Sequence, residues 1–300
     1  MRKITKNLAI LLCLMICVMV SMSGCLSTES DTTKDIVGAS GKDEDGKESK
    51  EQISVSIEEQ VLVNQDGIVV TAQKYVKDDF WGDGIKLQIE NNSDKDVTVS
   101  CDALIVNDYM TSDLFAVDVA AGKKTNETLY LLSAELENAG IDTVGKVEIY
   151  FNVYDSSSYD TIFKTDCITI NTSAFANMDT TPKDAGKELY NEGGIRIVGK
   201  TVDENSFWGA SILLYCENTS GRNVVISIKD MSINGFMMDP LFASTVYNGK
   251  KAIESVTLFS SDLEKNGITS IQDVELKFHI YDAENYDTIV DSDVIKFSAE

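Results

Sequence analysis

Two short stretches of this sequence combine tyrosines and aspartates in the same order and are its most site-like feature. They begin at Tyr154 and Tyr281 and both read Tyr-Asp-x-x-x-Tyr-Asp-Thr-Ile. Carboxylate oxygens are typical calcium ligands, and calcium takes about 6 to 8 oxygens. The candidate calcium ligands are Asp155, Asp160, Asp94 and Asp96. The alternative is that the first aspartate of each stretch, Asp155 or Asp282, closes a tight loop through Asx-type hydrogen bonds.

Enzyme chemistry is poorly supported by the other reactive residues. The single histidine, His279, lies two residues before the second stretch, and Asn152 stands at the same place before the first stretch. A site present at both stretches therefore cannot use a Ser-His or Cys-His pair. Glycine-rich phosphate loops, nucleophile elbows and H-E-x-x-H motifs do not occur in the sequence. We therefore predict a protein that is not an enzyme and needs no cofactor.

The two stretches belong to a tandem repeat. Shifting the sequence by 127 residues aligns 67–173 with 194–300 without a gap, and 39 of the 107 positions are identical. A chain of 300 residues suits about two domains of ordinary size. We predict a signal peptide over 1–24, a lipidated Cys25 with a flexible acidic tether over 25–59, a first repeat over 60–173, a linker over 174–186 and a second repeat over 187–300.

Alternating apolar residues predict that both repeats are built of β-strands. In the first repeat the candidate strands are Ile68–Tyr75, Ile85–Glu90, Val97–Val106, Leu114–Val119, Glu127–Leu132, Val147–Tyr154 and Thr161–Ile170. A short helix capped by Ser133 and ended by Gly140 interrupts them, and Ser260 and Gly267 repeat this cap and this end in the second repeat. The pattern predicts an all-β protein of two tandem immunoglobulin-like antiparallel β-sandwiches, each with about seven strands and one short helix.

Antiparallel strands place alternate loops at opposite ends of a sandwich, so large apolar loop residues are expected to gather at one end. This possible partner-binding patch comprises Phe80, Trp81, Tyr109 and Met110 in the first repeat, with Phe207, Trp208, Phe236 and Met237 in the second. It would suit an unknown protein or a glycan. The alternative is that these side chains close the open end of the sandwich as part of its core.

Cysteines outside the N-terminal segment are expected to be small buried thiols. Cys101, Cys167 and Cys216 each replace an aliphatic residue of the other repeat. Only Cys101 and Cys167 have the chance to form a disulfide within one domain. The sequence leaves open whether they do so.

The N-terminal residues predict export and a lipid anchor. Arg2, Lys3 and Lys6 precede an apolar run from Leu8 to Val20, which is typical of a signal peptide. The residues before Cys25 resemble a bacterial lipobox, which implies a diacylated first mature residue and localisation at the outer face of the cell membrane. The formal charge of −23 argues against nucleic acid as a partner.

The motifs F-W-G, E-N-N-S-D-K-D-V, A-G-K-K and Y-D-x-x-x-Y-D-T-I resemble a repeated domain in uncharacterised surface lipoproteins of Gram-positive, low-GC bacteria. More loosely, the E-N-N-S turn is similar to telokin-like immunoglobulin-fold domains of secreted bacterial proteins. The resemblance implies fold and location, and no site residues. We expect a non-catalytic binding or structural module; the alternatives are a calcium-dependent adhesion module and an accessory subunit of an envelope complex or transporter.

Overall fold

The computed structural model describes residues 55–78 and 81–298. The predicted signal peptide, Cys25, most of the predicted tether and Phe80 lie outside these residues. No helix within the described ranges is long and apolar enough to cross a membrane.

Among the described residues, twenty strands and two short helices form two copies of one arrangement. In the first repeat they are β1 (Gln60–Gln65), β2 (Ile68–Asp78), β3 (Gly82–Asn91), β4 (Val97–Val106), β5 (Tyr109–Thr111), β6 (Ala116–Val119), β7 (Lys123–Leu132), α1 (Ser133–Asn138), β8 (Lys146–Asp155), β9 (Thr161–Lys164) and β10 (Ile168–Asn171). In the second they are β11 (Lys187–Glu192), β12 (Ile195–Ser206), β13 (Gly209–Asn218), β14 (Val224–Ile233), β15 (Phe236–Met237), β16 (Ala243–Val246), β17 (Lys250–Phe259), α2 (Ser260–Lys265), β18 (Asp273–Asp282), β19 (Thr288–Asp291) and β20 (Ile295–Ser298). A 3-10 turn, Phe175–Asn177, lies between the copies.

Each repeat is an immunoglobulin-like antiparallel sandwich, which confirms the predicted fold class. In the first repeat, one sheet has the order β1-β2-β3-β7, and the facing strands run β10-β8-β4-β5, with β6 also paired to β4 and β9 to β8. The second repeat has the same pairings among its own strands. The predicted count of about seven strands per repeat was too low. The strands β1 and β5 were not predicted, and the predicted strand Thr161–Ile170 is divided into β9 and β10.

Alternation along the strands fills the two cores. Ile85, Leu87 and Ile89 of β3 are fully buried in the first repeat, and Ile212, Leu214 and Cys216 of β13 are buried in the second. These residues belong to two separate apolar clusters, one in each repeat. Val55 and Ile57, at the end of the predicted tether, pack against the first cluster.

The shared Glu-Asn-x-Ser motif has a structural role. Asn91 is fully buried, and its amide donates hydrogen bonds to the carbonyl oxygens of Lys95 (2.7 Å) and Val119 (2.8 Å). Its side-chain oxygen accepts from the backbone N–H and hydroxyl of Ser93. Asn218 repeats all of these bonds with Arg222, Val246 and Ser220. A buried amide satisfied in this way fixes the turn and the strand that leaves it.

The predicted serine caps are wrong in detail. The strand β7 runs directly into α1, whose N-cap is Leu132 (φ −57°, ψ 123°), and no side chain of the described residues caps the helix. The second helix likewise begins after Phe259 without a side-chain cap. Gly140 and Gly267 follow the helices with φ of +62° and +66°, as predicted for residues that end them.

The two repeats are joined through their sheets. The short strand β5 pairs with β17 in parallel, with Tyr109 opposite Lys251 and Met110 opposite Ala252. This pairing makes a ten-stranded sheet from the second sheet of the first repeat and the first sheet of the second repeat. A third apolar cluster lies at this interface between the repeats, which we call the join, and contains Tyr109, Ala139, Val198, Tyr215 and Ile253.

Candidate functional site

The Tyr-Asp stretches form the loops after β8 and β18. The Asp155 carboxylate accepts hydrogen bonds from the Ser157 backbone N–H (2.9 Å), the Ser157 hydroxyl (2.6 Å) and the Ser158 N–H (3.1 Å). The hydroxyl bond and then the backbone bonds lower the pKa of Asp155 to about 2. Asp282 accepts the equivalent N–H bonds from Glu284 and Asn285. The Asx-type interpretation of both aspartates is confirmed.

The four candidate calcium ligands do not form a group that faces one point. Asp155 is engaged by its own loop and lies 3.6 Å from the Lys95 ammonium. The Asp96 carboxylate accepts the Ala121 N–H, and the Asp160 carbonyl accepts the Asp155 N–H. Across residues 55–78 and 81–298, no three His, Cys, Asp or Glu side chains stand close enough together to hold a metal ion. The calcium site of Asp155, Asp160, Asp94 and Asp96 therefore stays a prediction from the sequence, and the described side chains do not surround a common metal position.

The predicted apolar patch is divided by the join between the repeats. Tyr109 is 5% exposed, and its hydroxyl accepts a hydrogen bond from the Lys183 N–H. Met110 packs against the core of the second repeat. These two residues therefore belong to the interface between the repeats and not to an exposed surface. Phe80 lies outside the described residues.

In the first repeat, the exposed part of the patch lies around Trp81. The Trp81 side chain is 43% exposed, and its ring lies 5.8 Å from the ring of Tyr130. A cleft of about 300 Å³ runs from this aromatic pair to Leu114 and Phe115 on the approach to β6. Its remaining lining residues are Ala116, Val117, Glu127, Thr128 and Leu132. An apolar cleft of this kind, with one carboxylate at its side, can bind an apolar or aromatic group.

The same place is closed in the second repeat. Leu241, the equivalent of Leu114, exchanges two backbone hydrogen bonds with Thr257 of β17. The second-repeat members of the predicted patch nevertheless stay exposed: Phe207, Trp208, Phe236 and Met237 are 90%, 59%, 47% and 67% exposed. The aromatic rings of Phe207 and Trp208 contact each other edge to face at 4.9 Å.

A cluster of charged residues at the join was not found by sequence reasoning. The Lys250 ammonium lies 2.8 Å from Asp108 and 2.5 Å from Glu148 of the first repeat, and Lys146 also contacts both acids. The Lys251 ammonium lies 5.5 Å from the Tyr109 ring centroid. The sequence did contain a signal for this interface. The buried Val198, Tyr215 and Ile253 and the half-buried Leu213 stand where the first repeat has the polar residues Thr71, Gln88, Asn126 and Lys86.

The remaining reactive residues have ordinary surroundings. The His279 ring nitrogen Nδ1 lies 2.6 Å from the carboxylate of Asp291, its partner in the pairing of β18 with β19. All three described cysteines are free. Cys216 is buried as predicted and Cys101 is half-buried, whereas Cys167 is exposed and does not fit the expectation of a buried thiol. Its thiol lies 3.6 Å from the Glu148 carboxylate.

Comparison with known proteins gives similarity in fold only. No family model and no curated protein matches the sequence. Among solved structures, the chain is similar to the YadV chaperone, at 11% identity and a TM-score of 0.24, over 77% of this chain and 99% of that one. A structure of the Salmonella enterica SafA pilin with the SafB chaperone matches at 11% identity and 0.21, over 72% and 88%. A protein of unknown function from Porphyromonas gingivalis matches at 10% and 0.19, over 72% and 89%.

These values carry no information about activity or partners. The telokin-like lipoprotein family stays a resemblance that rests on the sequence motifs. The immunoglobulin-like sandwich itself follows from the strand order of the structure.

Proposed function

We propose that this chain is a non-catalytic binding module held at the outer face of the bacterial cell membrane by lipid on Cys25. The observation that carries the binding role is the cleft beside Trp81, where an aromatic pair and the exposed Leu114 border an apolar space of about 300 Å³. Soluble proteins seldom leave apolar side chains grouped at the surface without an interaction to serve. The ligand class that fits best is a protein segment, because the cleft is bordered by the sheet-edge strand β7.

The membrane location is supported by the sequence alone. A basic start, a short apolar run and a cysteine after small residues are the features that bacterial lipid attachment requires. Metabolic labelling with a radioactive fatty acid tests this: the native chain is expected to be labelled and Cys25→Ala is not. Equal labelling of the two would refute the anchor.

The binding role is tested with a photo-crosslinking amino acid placed at Leu114 in living cells. Leu241 is the matched control, because it is the repeat equivalent, is 57% exposed and has its backbone engaged with Thr257. We expect a discrete crosslinked species from position 114 and none from position 241. The same species from both positions, or none from position 114, would contradict the assignment of the cleft.

A further inference from the structure

The join between the repeats shows how this fold accepts an added strand. The strand β5 lies parallel to β17, and the Lys251 N–H donates to the Asp108 carbonyl oxygen at 2.9 Å. The Asp108 carboxylate meets the Lys250 ammonium, while the Tyr109 ring lies beneath the Lys251 ammonium. Recognition therefore uses three successive features of the added strand: a carboxylate, an aromatic ring and the aliphatic Met110, which packs on the second core.

The first repeat carries the same lysines on an edge that no strand of the described residues covers. Lys123 and Lys124 are the equivalents of Lys250 and Lys251, and both are exposed. Among the described residues, β7 pairs as a strand only with β3. Since the backbone N–H of Lys251 and of Thr257 points away from β13, the N–H groups of the equivalent Lys124 and Tyr130 point outward from β7.

Nearby acids do not distinguish the two edges. Glu90 lies opposite Lys124 on β3, and Glu217 lies opposite Lys251 on β13. The occupied edge therefore accepts a carboxylate although the same acid stands beside it. Glu127 lines the Trp81 cleft further along β7 and faces a different part of an added strand.

The outer face of the first sheet indicates what kind of occupant fits. Where the second repeat packs Val198, Leu213, Tyr215 and Ile253 at its interface with the first repeat, the first repeat itself has Thr71, Lys86, Gln88 and Asn126. The Gln88 amide is turned toward Asn126, at 3.4 Å. A polar face of this kind does not favour burial beneath another folded sandwich, so an occupant of β7 would use the edge and not the face.

A second copy of this chain fits the edge less well than a separate peptide. The equivalent of β5 in the second repeat is β15, and Gly235 stands where the first repeat has Asp108. That hairpin keeps the aromatic and aliphatic residues, Phe236 and Met237, but lacks the carboxylate that meets the lysine.

We propose that the β7 edge of the first repeat accepts an extended segment of a partner protein, parallel to β7, in which a carboxylate is followed by an aromatic and an aliphatic residue. The carboxylate meets Lys123, the ring lies beneath Lys124, and the following residues run toward the cleft beside Trp81. The inference rests on the proposed function, because β7 forms one side of that cleft.

Fluorescence anisotropy tests the proposal with the full chain in detergent micelles. The probe is a labelled synthetic peptide that copies residues 106–113, the segment that contains β5 and pairs with β17 through Tyr109 and Met110. We expect saturable binding that weakens at least about tenfold for the double variant Lys123→Glu/Lys124→Glu. The control variant is Lys74→Glu, an exposed lysine of β2 away from the edge, which is expected to bind as the native chain does.

A charge exchange makes the test specific. A peptide carrying Asp108→Lys is expected to bind the native chain at least about tenfold more weakly and to regain affinity for the double variant. Unchanged affinity in both combinations would overturn the proposal. Absence of peptide binding together with a retained crosslink from position 114 would overturn the strand addition and leave the proposed function standing. Concentration-dependent dimers abolished by the double variant, without peptide binding, would assign the edge to a second copy.

Discussion

The strands β7 and β17 occupy the same position in two copies of one fold, yet their surroundings are opposite. Both begin with two lysines after a glycine and both pair with the third strand of their repeat. The strand β17 is covered by the first repeat, and its Lys250 side chain is only 14% exposed, whereas Lys123 of β7 lies in solvent. The Gly-Lys-Lys motif shared by the two repeats therefore reflects their common fold. The apolar residues that the second repeat has on the outer face of its first sheet show that this repeat is the covered one.

Among the matched substitutions in the two repeats, we expect the largest difference in the free energy of unfolding at Tyr215, at the interface between the repeats. Tyr215 is fully buried there, and its equivalent Gln88 is only partly buried on the uncovered sheet. Tyr215→Ala is expected to lower the free energy of unfolding by about 3 to 5 kcal/mol, because it removes a large ring from a packed site. Gln88→Ala should change it by about 0.5 kcal/mol or less. Urea unfolding of the full chain measures both; equal losses would mean that the two sheet faces are covered alike.

A smaller loss of stability is expected when Lys250, which contacts two acids of the first repeat, is replaced. Lys250→Ala leaves the half-buried Asp108 and the buried Glu148 carboxylates with Lys146 as the one remaining cation among the described residues, so we expect a loss of about 2 to 3 kcal/mol in the free energy of unfolding. The matched change Lys123→Ala is expected to lie within about 0.5 kcal/mol of the native chain. The same unfolding measurement compares them, and a loss for Lys123→Ala as large as that for Lys250→Ala would contradict the open edge.

The sequence predicts the sandwiches well because strand alternation is a local property. The predicted strand Val97–Val106 matches β4 at both ends. The missed strands are short or mixed in polarity: β5 has three residues, and β1 reads Gln-Val-Leu-Val-Asn-Gln. Thr165, Asp166 and Cys167 separate β9 from β10 and were too few to be recognised as a break. The serine caps failed because Leu132 continues from the strand and starts the helix itself.

The candidate sites were less predictable because they depend on which surfaces meet. Tyr109 and Trp81 are both aromatic loop residues by sequence, and only the join separates them into a buried contact and an exposed one. Asp155 has the composition of a calcium ligand, but its oxygens are used within the loop. The comparison of the copies does contain the missing signal, since four polar positions of the first repeat become apolar only where the second repeat is covered.

The last difference between the copies concerns a carboxylate at the join, and its effect on stability depends on pH. Burial, together with the nearby Glu135 of α1, raises the pKa of Glu254 to about 7. Its folded pKa lies above its unfolded value, so the neutral form stabilises the fold at low pH and this stabilisation is lost as the pH rises through about 7. Glu254→Gln should therefore increase the free energy of unfolding at pH 8 by up to about 3 kcal/mol and change it little at pH 4.5.

The exposed equivalent Glu127 is the matched control for this substitution. Glu127→Gln is expected to leave the dependence of stability on pH as in the native chain, because the Glu127 side chain is exposed to solvent. Unfolding curves recorded from pH 4.5 to 8 compare the two variants. A gain from Glu254→Gln that is the same at both ends of this range would mean that the carboxylate is ionised throughout, and that the join holds two charged acids side by side instead of a proton.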